Sequence, residues 1–168
     1  MSQSQYDSKD DAFFAAVGRL ALGWGMIDSC LEVMCLIIFN DFGGRKIEDE
    51  IPWSLSRKIK FLRRCFSTIE LFKPVAPILL PLLVKAAAGM EKRHDVVHGV
   101  LLSSPEPGLP TQMGRFLRSL RAPYDHRFAI TTDEILRDAL AANDLGGRLL
   151  NLALALGQIV SSRAQKGD

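Results

Sequence analysis

Between residues 10 and 39 an apolar side chain returns every three or four positions: Phe13, Val17, Leu20, Trp24, Ile27, Leu31, Met34 and Ile38. Only an α-helix gathers such a series on one face. A helix of this length must bury its stripe against other helices, so the pattern points to a helical bundle. Asp10 or Asp11 caps its start, and Asn40-Asp41-Phe42-Gly43-Gly44 ends it. Arg19, Asp28 and Glu32 interrupt this stretch, and Pro77, Pro81 and Lys85 interrupt the apolar residues 74–90. A membrane-spanning helix needs about 20 mostly uncharged residues, so both stretches read as core helices and no membrane is expected.

The remaining pattern is also mostly helical. Ser54 caps a second helix over 55–71, with Leu55, Ile59, Leu62, Phe66 and Ile69 on one stripe and Arg57, Lys60 and Arg64 opposite. Its segment Arg57–Arg64 holds five cations and no acid. A third helix starts near 77–81, where prolines suit a first turn, and runs to His98, with Gly99 as its stop. Residues 99–131 hold four prolines and read as irregular. Within them Val100-Leu101-Leu102 and Phe128-Ala129-Ile130 suggest short strands paired with each other, and 112–120 suggests a short helix. A last helix over 133–163 is capped by Thr131 or Thr132 with Glu134 nearby, and Gly146-Gly147 mark a break in it. The expected fold is mainly α: four to five helices, with a loop or short β-hairpin inserted around 99–131. It forms one domain over 1–168, with 1–9 as a disordered tail.

The chain has 168 residues and a net charge of +2, so bulk charge does not by itself announce a nucleic-acid binder. Cys30, Cys35 and Cys65 form neither a disulfide framework nor a Cys-x-x-Cys metal pair. They read as reduced, mostly buried thiols. The polar N-terminus lacks the order of a signal peptide, and the expected location is cytoplasmic. Trp24 and Trp53 read as core or interface residues.

The residues that carry chemistry are Glu91-Lys92-Arg93-His94-Asp95-Val96-Val97-His98-Gly99, at the end of the third helix. His94 and His98 are four apart and share a helix face. Arg93 lies about 140° around the axis from His98, within the reach of a long side chain. The helix C-terminus and Asp95 favour a protonated imidazole at His98, and Arg93 opposes it. Such a balance suits a general acid or base. A guanidinium beside it can hold a phosphate and stabilise the charge of a pentacovalent phosphorane. Together the two groups can cleave RNA without a metal.

The run Arg93-His94-Asp95-Val96-Val97-His98-Gly99 resembles the Arg-x4–6-His motif of HEPN domains, where a polar residue usually follows the arginine. An opening helix with Trp24, Asp28 and Glu32, and a second helix with Lys58-Ile59, are similar to those of small prokaryotic HEPN-like proteins. The resemblance covers most of residues 10–165. It implies a bundle that forms a homodimer, bringing two motifs into one cleft, and a metal-independent endoribonuclease without cofactors. It also implies a role as a toxin or antiviral effector, with an antitoxin or nucleotidyltransferase as partner. Arg93 and His98 would be catalytic and His94 supporting. The alternative it implies is a catalytically silent HEPN-like binding protein. A second Arg-x4-His pair, Arg121 and His126, encloses Pro123 and lacks the helical setting.

Around this motif, Arg57, Lys60 and Arg64 form a candidate phosphate track for RNA, which Arg115, Arg118, Arg121 and Arg127 extend. Both groups also fit an ordinary solvated surface. His94-Asp95-x-x-His98 mimics the His-Glu-x-x-His signature of zinc hydrolases. Asp is shorter than the Glu that chemistry uses, and His126 is isolated, so no metal site is expected.

Overall fold

The computed structural model describes residues 3–106, 108–115 and 126–166. The fold is a mainly helical bundle with a small antiparallel sheet. Four α-helices stand among the described residues: α1 (Gln3–Asp41), α2 (Leu55–Thr68), α3 (Ala76–His98) and α4 (Thr132–Lys166). The sheet comprises β1 (Val100–Leu101), β2 (Thr111–Arg115) and β3 (His126–Ile130). Short 3₁₀ turns at Gly44–Lys46 and Glu70–Phe72 follow α1 and α2. The chain forms two compact units, one of Met1–Trp24 with Met90–Asn143, the other of Gly25–Gly89 with Asp144–Asp168.

The helix boundaries follow local chemistry. α1 begins upstream of the expected residue 10, so helix replaces most of the expected tail. Ser54 caps α2 by accepting a hydrogen bond from the Arg57 N–H at 3.4 Å. Ile69 leaves the helical region, ending α2 before the expected residue 71. α4 opens on a complete capping box: the Thr131 hydroxyl accepts from the Glu134 N–H, and the Glu134 carboxylate accepts from the Thr131 N–H at 2.8 Å. The expected break at Gly146-Gly147 is absent, and α4 is continuous. A side chain at 146 would run into Met26, so Gly146 serves close packing.

In the larger unit, Ile27, Leu31, Met34 and Ile38 of α1 are buried with Ile59, Leu62 and Phe66 of α2. Phe66 stacks on Phe72 at 4.7 Å between centroids, and Phe42 meets Phe72 edge-on at 5.2 Å. The three cysteines are free and buried. Burial pushes the Cys35 and Cys65 thiols up to about 12, which makes them inert at neutral pH.

Lys58, one of the five cations of the segment Arg57–Arg64, is not solvated. It is 3% exposed, and its ammonium donates to Asp28 at 2.8 Å and Glu32 at 3.0 Å, both on α1. Burial alone would lower its pKa, but the two carboxylates outweigh that and hold it above the ordinary value. α1 also contains a window long and apolar enough to cross a membrane, contrary to the sequence reading, and half of that window is buried within the chain.

In the other unit, Phe13, Ala16, Leu20 and Trp24 of α1 are buried, as are Val96, Met113, Ile130 and Ile135. Val100-Leu101 and Phe128–Ile130 are strands as expected, but they do not pair with each other. Each pairs with β2, in the order β1-β2-β3. β2 corrects the expected helix at 112–120, whose later residues lie outside the described part. Thr111 and Met113 are buried while Gln112 is exposed, the period-two alternation of a strand. Gly99 ends α3 without a left-handed conformation. A side chain there would strike the Asp95 carbonyl and come within 2.9 Å of Met113.

The Lys58 arrangement makes an asymmetric prediction. Replacing Asp28 and Glu32 together by alanine strands a buried ammonium and should lower stability by about 3 kcal/mol. Lys58→Met leaves two half-exposed carboxylates in water and should cost about 1 kcal/mol or less. Urea denaturation of the two variants measures both, and equal losses would contradict the arrangement.

Candidate functional site

The last turns of α3 present the motif residues. The rings of His94 and His98 lie 4.7 Å apart with a 56° tilt, as their four-residue spacing requires. Both are exposed, while Arg93 is half-buried. The Arg93 Nε is buried without a hydrogen-bond partner, and no carboxylate among the described residues forms an ion pair with it. Its neighbour Lys92 pairs instead with Asp138 of α4 at 2.7 Å.

Asp95, between His94 and His98 in the chain, is buried and only 8% exposed. Its carboxylate accepts a hydrogen bond from Arg115 Nη1, at the end of β2, at 2.5 Å. Their side chains are only 11% and 16% exposed, so this ion pair is shielded from water. The sequence reading gave Asp95 the task of favouring a protonated His98. The structure commits that carboxylate to Arg115.

The two arginines and two histidines act on one another electrically. His94 is held below its ordinary pKa first by desolvation, then by the positive charges of Arg115, His98 and Arg93, with Asp95 opposing. It is therefore neutral at neutral pH and able to accept a proton or a hydrogen bond. Because the unfolded chain binds that proton more readily, this shift favours folding above the ordinary histidine pKa. The advantage is lost as pH falls toward the folded value.

The other sequence candidates fall elsewhere. Arg57, Lys60 and Arg64 are exposed on α2, in the unit that does not hold the histidines. Arg64 is engaged by Glu48 at 2.6 Å. Arg118 and Arg121 lie outside the described residues, as does the His126 side chain. Among the described residues no three His, Cys, Asp or Glu groups converge as a metal site, so ligand geometry lends the zinc alternative nothing. Trp24 is buried as expected, whereas Trp53 is 80% exposed and contributes nothing to the core. An open apolar groove of about 800 Å³ runs along Cys30, Val33, Leu150 and Leu154, with no basic, acidic or imidazole side chain in its wall.

Sequence reasoning missed Arg115 as a neighbour of the motif because it placed that arginine in a short helix within an irregular segment. The alternation of Thr111 and Met113 was the signal that would have put it on a strand. No family model, curated protein or solved structure matches the chain.

Replacing Arg115 with alanine removes a positive neighbour of His94 and releases Asp95. The His94 pKa should rise, read as an upfield-to-downfield titration of its imidazole C2 proton by NMR. An unchanged midpoint would contradict the placement of Arg115.

Proposed function

We propose that the chain is a HEPN-like, metal-independent endoribonuclease whose chemistry belongs to Arg93 and His98, with His94 supporting. The observation that carries this reading is the cluster at the end of α3: two imidazoles 4.7 Å apart and a half-buried guanidinium that no carboxylate among the described residues neutralises. An imidazole takes the proton of a ribose 2′-hydroxyl, and that oxygen forms a bond to phosphorus. The P–O5′ bond breaks, and the departing oxygen takes a proton from an imidazolium. The products are a 2′,3′-cyclic phosphate and a 5′-hydroxyl. Arg93 holds the phosphate and stabilises its added charge.

This reading includes a cytoplasmic homodimer, because two copies of the cluster supply both a base and an acid. A toxin or antiviral role, held in check by an antitoxin or a nucleotidyltransferase, fits such an activity. Arg57, Lys60 and Arg64 are offered as additional phosphate contacts. The exposure of both imidazoles favours a second reading, a binding protein without turnover.

Arg93→Ala and His98→Ala should each reduce RNA cleavage at least about 100-fold while leaving the circular dichroism spectrum intact. Cleavage by the unaltered chain should persist in EDTA and leave cyclic phosphate ends. Equal activity in all three proteins would refute the roles, and absence of turnover in the unaltered chain would favour the binding protein.

A further inference from the structure

The end of a helix where carbonyls point outward is a poor place for a phosphate. Its partial charge is negative, roughly half an elementary charge. A site there must supply enough fixed positive charge to overcome that field, and Arg93 is a single guanidinium. The sheet brings a second. Val100 of β1 lies opposite Gly114 of β2. One step back from Val100 is Gly99, next to His98, and one step on from Gly114 is Arg115. The antiparallel register therefore carries Arg115 to the end of α3.

Arg115 is also held there. Among the described residues its one acceptor is Asp95, through Nη1. A guanidinium has five N–H donors in a planar fork, and the Arg115 Nε is buried without a partner. Arg93 Nε is in the same condition. Orphaned buried donors are costly, and each of the two arginines that act electrically on His94 carries one. The effect of Arg115 on His94, foremost among the neighbouring charges that lower its pKa, agrees with this placement.

We propose that Arg115, fixed by Asp95, is a substrate-binding residue of the α3 site and grips the same phosphate as Arg93. The inference rests on the reading of that site as one for an RNA phosphodiester. Asp95 is the positioning residue: it spends one edge of the fork to aim the remaining donors. A guanidinium held by a carboxylate loses little freedom when the phosphate arrives. The sheet, otherwise an insertion between two bundle helices, thereby completes the site.

The test uses the full chain with two probes, inorganic phosphate and an oligoribonucleotide methylated at every 2′-oxygen, which cannot be cleaved. In the unaltered chain, either probe should move the Arg115 Nε–Hε signal and the His94 and His98 ring signals along one saturation curve. Arg115→Gln should weaken oligonucleotide binding by about tenfold or more, and Arg115→Lys should recover part of the loss. Should Arg115→Gln fail to fold, the titration of the unaltered chain decides alone. Histidine signals that move while the Arg115 signal stays still would overturn the proposal, as would full-strength binding by a folded Arg115→Gln. The failure of the ribonuclease reading looks different: both probes bind through Arg115, yet unmodified RNA is never cut. Probes that leave every one of these signals unmoved would overturn both.

Discussion

A shielded ion pair between Asp95 and Arg115 organises the chemistry of this chain. It ties the end of α3 to the end of the central strand. Without it, the last turn of α3 would carry an arginine and two exposed imidazoles, a common ending for any helix. With it, a second guanidinium is held at the end of α3, and the Asp95 carboxylate is engaged. The His94 shift is set first by desolvation, and the positive charges of Arg115, His98 and Arg93 add to it while Asp95 opposes.

The other unit solves a different problem with the same chemistry. Lys58 sits where the apolar stripe of α2 calls for a hydrophobic residue, and it is tolerated because Asp28 and Glu32 reach it from α1. Such a pair adds little net stability, but removing the two carboxylates would leave the buried ammonium uncompensated. In the same unit, Phe42, Phe66 and Phe72 form a continuous aromatic cluster, and the buried thiols stay protonated.

Much of this architecture was legible in the residues. The stripe from Phe13 to Ile38 identified α1, and Ser54 and the Thr131–Glu134 pair marked helix starts by a mechanism that the structure reproduces. Three features were not legible, each for a physical reason. Lys58 reads as surface because nothing local reveals that its partners lie 26 and 30 residues earlier. β2 reads as helix because five residues are too few to separate the two periods, and its pairing is non-local. Gly146-Gly147 read as a break because low helix propensity is visible in sequence, while the close packing of Gly146 against Met26 is not. In the site, the spacing of His94 and His98 foretold their shared face, but Arg115 could join them only once the strand order was known.

The dependence of the α3 end on one ion pair is open to a direct energetic measurement. A double-mutant cycle with Asp95→Asn, Arg115→Gln and the combined variant, followed by urea denaturation, isolates the interaction between the two side chains. A shielded, hydrogen-bonded pair should give a coupling of about 1–3 kcal/mol. Losses that simply add, within about 0.5 kcal/mol, would show that the pair does not hold the sheet to the helix.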